Sequence, residues 1–183
     1  MFTNCILFDI YLSVDWVPRS LNEAADELSK TPDPDDWTVQ DRICLLINKT
    51  CGPFSIDCFA SNLSHKLPRF FSKYWCEGTY GIDAFSYSWA GEFAWLVPPP
   101  YLIAKVIGHC KLTHARGVLI APKWPSAPFW PLLSAPVGWK AGITLLYEYA
   151  NPANFFSRGA YGNSVFTEAR FSSNVLVLKL DFS

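Results

Sequence analysis

The chain has 183 residues, of which 50% are hydrophobic and 17% are charged, and its formal net charge is −1. This length suits one domain with a sizeable core, and the composition argues against a disordered protein. The near-zero charge excludes a globally basic surface, so any contact with nucleic acid would have to be local.

The cysteines and histidines form no recognisable ligand motif. None of the six cysteines belongs to a Cys-x-x-Cys pair, so we expect reduced, mostly buried thiols in an intracellular protein, cytoplasmic or nuclear. His109 beside Cys110 is a weak metal candidate, and no metal site is predicted. No apolar stretch reaches about 20 residues and no signal peptide is evident, so no membrane association is expected.

The N-terminal segment reads as a strand followed by a short helix. Residues 4–17, NCILFDIYLSVDWV, are rich in β-branched and aromatic types and predict a strand. In SLNEAADELSK, Ser20 or Asn22 is a suitable cap for a short helix. TPDPDDW, residues 31–37, contains two prolines and three aspartates and predicts a linker.

A second helix is expected over about residues 38–50. Asp36 or Thr38 would cap its first turn, and Gly52 with Pro53 would end it. These signals place the helix between the linker and the first apolar strand of the following unit.

The rest of the chain alternates between apolar strands and helical patterns. FSIDCFAS, EFAWLVP, ARGVLIAP, GITLLYEY and NVLVLKLDF predict strands, and YLIAKVIGHCKL has apolar residues at helical spacing. Residues 62–81 are expected to be a loop, PFWPLLS a short helix or an irregular segment, and residues 147–166 mainly a covering loop. This alternation predicts an α/β, Rossmann-like, mostly parallel sheet flanked by helices. The segments DCFAS, PPPY and APKWP would then share the rim at the carboxyl ends of the strands.

Residues of about 52–135 resemble a known family. FSIDCFASNLSHKLPRFFSKYWCEGTYGIDAFSYSWAGEFAWLVPPPYLI, followed by GVLIAPKWPSAPFWPLL, resembles the methyltransferase-like region of DIRS-type tyrosine-recombinase retrotransposon polyproteins. That region is similar to phage Dam-like DNA adenine methyltransferases, which carry Asp-x-x-Ala-Ser at a strand end, then Asp-Ala before a Trp, then Asn-Pro-Pro-Tyr. The counterparts here are Asp57, Ala60 and Ser61, then Asp83, Ala84 and Trp89, then Pro98, Pro99, Pro100 and Tyr101.

The resemblance implies a catalytic motif that has lost one group. In the family, the polar side chain that begins the motif and the carbonyl of the next proline accept hydrogens from the target amine, and the tyrosine stacks on the flipped base. Here the Pro99 carbonyl and the Tyr101 ring are present, but Pro98 has no polar side-chain atom. The motif Pro98, Pro99, Pro100 and Tyr101 is therefore expected to be degenerate.

The resemblance also implies a cofactor site for S-adenosylmethionine, although no glycine-rich turn follows the FSIDCF strand. Basic residues among aromatic ones, in the segment HKLPRFFSKY, suit nucleic acid, and a basic residue after a later strand could touch a phosphate. The implied cofactor-binding residues are Asp57, Ala60, Ser61 and Asp83. The candidate nucleic-acid-binding residues are Lys66, Arg69, Lys73 and Lys123.

A structural role stays open beside each functional one. PPPY is also a suitable strand-to-helix turn, and Asp57 and Asp83 are equally suitable strand-end caps. The stems of the basic residues could pack over apolar surface, and Trp124 in APKWP suits a core or an interface.

A second resemblance lies in the N-terminal segment. VDWVPRSLNEAADELSK resembles the last strand and helix of a retroelement ribonuclease H, whose pattern Asn-x-x-x-Asp-x-Leu-Ser matches Asn22, Asp26, Leu28 and Ser29. In that family the aspartate is one of several metal-binding carboxylates, and the others have no counterpart here. One carboxylate cannot hold the two metal ions of that reaction, so ribonuclease H activity is not expected from Asp26.

Together the two resemblances imply a fragment of a retrotransposon polyprotein. Residues 1–30 would be the ribonuclease H remnant, 31–37 a linker, and 38–183 the Dam-like methyltransferase-fold domain. The expected function is a methyltransferase-like domain with a degenerate site that associates with DNA or RNA and with the rest of the polyprotein. Two alternatives stay open: an active S-adenosylmethionine-dependent DNA adenine methyltransferase, and a non-catalytic connector between reverse transcriptase–ribonuclease H and a recombinase.

Overall fold

The computed structural model describes residues 37–150, 154–158 and 173–183, together with Trp16 and Pro18. The chain divides after Pro32, and Asp33–Ser183 forms one compact unit. The strand predicted over residues 4–17, the helix after it and the linker lie outside the described residues, apart from Trp16 and Trp37.

The described residues form nine strands, three α-helices and two short 3₁₀ helices. The strands are β1 Trp37–Val39, β2 Ile56–Ala60, β3 Phe70–Ser72, β4 Gly81–Ile82, β5 Phe93–Leu96, β6 Arg116–Pro122, β7 Ile143–Tyr149, β8 Phe156–Arg158 and β9 Val175–Asp181. The α-helices are α1 Asp41–Cys51, α2 Ile103–Leu112 and α3 Trp130–Leu133, and the 3₁₀ helices are Ala84–Ser86 and Pro100–Leu102.

Seven strands form one sheet in the order β4-β3-β2-β5-β6-β9-β7. The first five run parallel to one another, whereas β9 is antiparallel to both of its neighbours, β6 and β7. β1 and β8 form a separate antiparallel pair. The prediction of an α/β protein with a mostly parallel sheet is confirmed.

The sheet is covered on both faces, which explains why its central strands are apolar throughout. In β6 and β9, neighbouring residues point to opposite faces. Leu119 and Leu178 belong to the core that includes α2, whereas Val118 and Val177 belong to the core that includes α1. The sheet therefore lies between two cores, and its five parallel strands have their carboxyl ends at the same edge.

The structure corrects the prediction that residues 62–81 are a loop. That segment contains β3 and β4, which have three and two residues. All three residues of β3 are buried. Strands this short show no periodicity in the sequence, so only their pairing with neighbouring strands reveals them. Likewise, β8 lies within the segment expected to be a covering loop.

The predicted cap of α1 was also wrong. The N-cap is Gln40, which makes no side-chain capping bond. Thr38 lies in β1 and its hydroxyl donates to the Ser64 carbonyl at 3.2 Å, while Asp36 lies outside the described residues. The predicted end is confirmed: Gly52 is the C-cap, and its N–H donates to the Asn48 carbonyl at 2.8 Å.

The described cysteines are free thiols and most of them are buried, as predicted. Cys44, Cys58 and Cys110 are buried free thiols, and Cys51 and Cys76 are half-buried ones. None of the helices in the described part of the chain has the length and hydropathy that crossing a bilayer would need.

Two glycines give a matched pair of stability predictions. A Cβ on Gly117 of β6 would lie 2.5 Å from the Ala94 carbonyl oxygen, whereas a Cβ on Gly108 of α2 would meet nothing within 4 Å. We therefore expect Gly117→Ala to lower the free energy of unfolding by about 1–3 kcal/mol. Gly108→Ala should raise it by about 1 kcal/mol, because alanine favours the helix. Urea unfolding of both variants tests this, and an unchanged Gly117→Ala midpoint would contradict it.

Candidate functional site

The carboxyl ends of five parallel strands meet along one rim. Ala60 pairs with Ser72, and Ser72 pairs with Ile82, so β2, β3 and β4 end side by side. Leu96 at the end of β5 pairs with Leu119 of β6. From β2 the chain adds β3 and then β4 on one side of β2, and it then returns to add β5 and β6 on the other side. The direction in which strands are added therefore reverses between β2 and β5. A crevice at such a reversal is the usual ligand site of this architecture.

The PPPY segment forms a rigid turn at the β5 end of this rim. Pro98 is buried, Pro99 is extended, and Pro100 starts the 3₁₀ helix that leads into α2. The Pro99 carbonyl accepts the Leu102 N–H at 2.9 Å. One of its lone pairs is thus used within the turn, and the second remains for another donor. The Tyr101 side chain is 65% exposed at the start of the helix.

Asp83 lies at the β4 end of the same rim and is held by its neighbours. Its backbone has a positive φ of 56°, an uncommon conformation for a residue other than glycine. Its N–H donates to the Ser72 carbonyl at 2.9 Å, and its carboxylate accepts the Phe85 N–H at 3.2 Å and the Ser86 hydroxyl at 3.4 Å. The exposed carboxylate therefore caps a turn and still faces solvent.

Asp57 is buried inside the protein, and only 2% of the surface of this residue is exposed. One oxygen accepts the Phe59 N–H at 3.3 Å and the other accepts the Lys66 N–H at 3.0 Å. Burial raises the pKa of Asp57 to about 6, against the opposing effect of these two bonds and of the nearby Lys66 and His65 charges. The structure thus gives this carboxylate internal partners.

Ala60 and Ser61 follow Asp57 at the end of β2. Ala60 is half-buried, and the Ser61 N–H donates to the Ser64 hydroxyl at 2.9 Å. The Ser61 and Ser64 hydroxyls also lie 3.0 Å apart, and the His65 N–H donates to the Ser61 carbonyl at 3.1 Å. The residues after β2 therefore close a compact turn without a glycine.

Three of the four candidate basic residues are paired with carboxylates. Lys66 bonds to Asp41, Arg69 bonds to Glu92 at 3.0 Å, and Lys123 bonds to Glu148 at 2.7 Å. The Lys73 ammonium lies 5.3 Å from the centre of the Tyr74 ring.

These four residues are spread over the sheet. Lys73 follows β3 and Lys123 follows β6, so both lie at the rim. Arg69 precedes β3, at the opposite edge, where its guanidinium also lies 4.5 Å from the Tyr80 ring centre. Lys66 lies between β2 and β3, in the segment that crosses from one edge to the other. The structure therefore brings only Lys73 and Lys123 to the edge that carries Asp83 and PPPY.

An aromatic cluster behind the rim was not identified from the sequence, apart from Trp89. Trp89 is fully buried, and its indole N–H donates to the Ala84 carbonyl at 2.9 Å. Its ring contacts Phe59, Phe85 and His109, with centroids 6.1, 5.7 and 4.4 Å away. The only sequence signal was the aromatic content of DAFSYSW, which does not say which rings meet.

The weak metal candidate finds no support among the described residues. The His109 Nε2 lies 2.9 Å from the Tyr87 carbonyl oxygen, and burial raises the pKa of the Cys110 thiol to about 12. No group of three or more potential ligands occurs in residues 37–150, 154–158 and 173–183. Asp26, the ribonuclease H-type carboxylate, lies outside the described residues.

Comparison with protein-family models gives no match, and comparison with curated proteins gives none either.

Proposed function

We propose that this domain is a methyltransferase-like module of a retrotransposon polyprotein that binds S-adenosylmethionine at the crevice between β2 and β5 and has lost most catalytic power. The proposal rests above all on the strand order of the sheet. The N-terminal segment of the chain, which contains Asp26, would be the ribonuclease H remnant that precedes this module.

The strand order of the large sheet differs from that of a dinucleotide-binding sheet and keeps the expected ligand crevice. Numbered along the chain, the seven strands of the large sheet have the order 3-2-1-4-5-7-6, and the seventh strand is reversed. Dinucleotide-binding sheets have the order 3-2-1-4-5-6. Here a reversed last strand lies between the fifth and the sixth, and the change of direction in the strand order between the first and the fourth strand, where a ligand crevice is expected, is kept.

The positions of the motif pieces support the same proposal. Ser61, Asp83 and Pro98 are far apart in the sequence, yet each directly follows a parallel strand or lies within two residues of its end. All three pieces therefore lie at the same edge of the sheet, at the ends of β2, β4 and β5. The exposed Asp83 carboxylate is suited to accept hydrogen bonds from cofactor hydroxyls or an amino group. Asp57 instead supports the turn that follows β2.

The same geometry explains why we propose a weak catalyst. The turn aims Tyr101 outward and leaves one lone pair on the Pro99 carbonyl, so base stacking and one acceptor remain. The second acceptor is missing at Pro98. Loss of a positioned group of this kind commonly costs about a hundredfold to ten-thousandfold in rate.

Nucleic-acid association is the proposed surviving role, with DNA or RNA and the rest of the polyprotein as partners. We assign the contacts to Lys73 and Lys123, since these are the two candidate basic residues at the rim; the Lys123 ammonium also bonds to Glu148 at 2.7 Å. Lys66 and Arg69 do not lie at this edge, and we assign their ion pairs with Asp41 and Glu92 a structural role. A connector without ligand binding is the competing function.

Calorimetric titration with S-adenosylmethionine tests the cofactor site. We expect binding by the wild-type chain, and at least about tenfold weaker binding by Asp83→Asn, because the asparagine keeps the cap but removes the charge. Glu77→Gln is the matched control, since Glu77 is an exposed carboxylate in the crossover before β4. Absence of heat at millimolar cofactor would overturn the proposed cofactor site. If labelled duplex and single-stranded DNA also failed to bind, the connector would remain. Equal affinities for the wild type and Asp83→Asn would remove Asp83 from the site.

A further inference from the structure

Two neighbouring tyrosines beside β3 and β4 are exposed, and each has one side of its ring covered. Tyr80, directly before β4, is 57% exposed, and the Arg69 guanidinium, held by Glu92, lies 4.5 Å from its ring centre. Tyr87, directly after the first 3₁₀ helix, is 39% exposed and stacks on Phe71 with ring centroids 4.7 Å apart. The Phe71 ring also lies 5.7 Å from that of Tyr80. The two tyrosines therefore flank one buried ring, and each is supported on one side and open to solvent on the other.

A lysine of α2 adds a positive charge beside these rings. The exposed Lys105 side chain places its ammonium 3.9 Å from the centre of the Phe85 ring, two residues before Tyr87. One turn further along α2, His109 contacts the same Phe85 ring with centroids 5.6 Å apart, and its Nε2 lies 2.9 Å from the Tyr87 carbonyl oxygen. Lys105 therefore lies about one helical turn from the contact between α2 and Tyr87. No carboxylate within the described part of the chain bonds to Lys105.

Open aromatic rings beside an ammonium suit a single strand of nucleic acid. Bases that are neither paired nor stacked can stack on tyrosine rings, whereas the bases of a duplex are already stacked on each other. An ammonium that lacks a carboxylate partner can bind a backbone phosphate. Two acidic residues of this region are already engaged, since Glu92 is paired with Arg69 and Asp83 is assigned to the proposed cofactor site.

We propose that Tyr80, Tyr87 and Lys105 form a platform for single-stranded nucleic acid, in which bases stack on the two tyrosines and Lys105 binds a phosphate. The inference rests on the proposed nucleic-acid role and specifies the form of strand that binds. Lys105 lies in the first turn of α2, directly after PPPY, so the platform leads to the rim. None of the three residues was among the nucleic-acid-binding residues predicted from the sequence.

Fluorescence anisotropy with the whole wild-type chain tests the platform directly. The labelled probes are oligothymidine, oligouridine, an abasic strand of the same length and an oligothymidine–oligoadenosine duplex. We expect the tighter of the first two to bind at least about tenfold more tightly than the abasic strand and the duplex. The ratio between the first two tells DNA from RNA. An abasic strand or a duplex that binds as tightly as the base-bearing strands would overturn the platform.

Substitution of the tyrosines separates stacking from charge. Tyr80→Leu and Tyr87→Leu each keep an apolar side chain that cannot stack, so each should weaken single-strand binding about tenfold and leave abasic binding unchanged. The matched control is Tyr147→Leu in β7, at the opposite end of the sheet, which should bind like the wild type. Folded Tyr80→Leu and Tyr87→Leu chains that also bind like the wild type would reject the platform. If neither folds, the comparison of strands on the wild type decides.

Lys105→Gln tests the phosphate contact. It should reduce the steepness of log affinity against log salt by about 0.7, the value for one phosphate of a single strand. Lys111→Gln is the matched control, because Lys111 lies on the same helix and its ammonium is also near a ring, 5.5 Å from the centre of Phe182. An unchanged slope in Lys105→Gln, or an equal change in Lys111→Gln, would overturn this contact.

These outcomes are distinct from those of the cofactor titration. A wild-type chain that binds no nucleic acid would overturn both the platform and the nucleic-acid role, and the open tyrosines would then indicate a protein partner. Binding to which Tyr80, Tyr87 and Lys105 contribute nothing would overturn the platform alone. In either case, the S-adenosylmethionine site is decided by the calorimetric titration.

Discussion

Replacing Pro98 by asparagine is expected to raise the rate of methyl transfer from S-adenosylmethionine to adenine in DNA by about a hundredfold or more over the wild type. Asparagine supplies a side-chain oxygen at the first motif position, where the family has a polar side chain and this chain has proline. The Pro99 carbonyl and the exposed Tyr101 ring are already in place at the rim. The variant thus adds the missing acceptor to an otherwise complete turn.

The matched control is Pro98→Ala. It removes the same ring and the same conformational restriction, but it adds no acceptor, so we expect no gain in rate. Tyr101→Ala, made in the Pro98→Asn chain, should reverse most of the gain because stacking on the flipped base is lost. Rates are measured as transfer of labelled methyl groups to duplex and single-stranded DNA at saturating cofactor.

The result is informative only if the fold and the cofactor site survive. Pro98 is buried, so an amide placed there needs a hydrogen-bond partner, which the bound target amine would supply only in the complex. Thermal unfolding and calorimetric titration of the variant show whether both are intact. A folded, cofactor-binding Pro98→Asn chain that transfers no methyl groups would reject loss of this acceptor as the cause of the degeneracy.

The sequence predicted the elements that carry strong local signals. β5, β6 and β9 are apolar runs ended by prolines or polar residues, and α2 has helical spacing after a proline turn, so each was found close to its real bounds. Turn chemistry also identified the end of α1 at Gly52. Such signals depend on neighbours in the chain, which a sequence displays directly.

Features that depend on tertiary contacts were not predictable. β3 and β4 exist because they pair with β2 and with each other, and their two or three residues contain no pattern of their own. The reversal of β9 is likewise a property of its pairing with β6 and β7. The sequence therefore indicated a mostly parallel sheet but not the strand order on which the proposed function now depends.

For the candidate site, the sequence identified residue types and positions but not their partners. Arg69 and Lys73 are four residues apart and looked alike, yet they lie at opposite edges of the sheet because β3 separates them. Asp57 and Asp83 also looked alike as strand-end acids. Burial gives Asp57 two internal backbone partners, whereas Asp83 stays exposed on a turn. Neither difference is written in the local sequence.

Truncation of Trp89 is expected to cause the largest loss of stability of any variant considered. Trp89→Ala should lower the free energy of unfolding by about 3–5 kcal/mol, since the ring is fully buried among other aromatic rings. The control is Trp75→Ala at a side chain that is 76% exposed, for which we expect a change within about 0.5 kcal/mol. Urea unfolding of both chains makes the comparison, and a loss below about 1 kcal/mol for Trp89→Ala would contradict it.

Trp89→Phe separates the hydrogen bond of Trp89 from its burial. Phenylalanine keeps most of the apolar contact but leaves the Ala84 carbonyl without the indole donor at 2.9 Å, which costs about 1–3 kcal/mol. The Ala84 carbonyl belongs to the turn capped by Asp83, so loss of this hydrogen bond should also loosen the rim. We therefore expect Trp89→Phe to weaken S-adenosylmethionine binding while the chain stays folded. If a measurably destabilised Trp89→Phe chain kept its affinity for S-adenosylmethionine, Trp89 would support only the core. The Asp83 turn would then be held by its own hydrogen bonds.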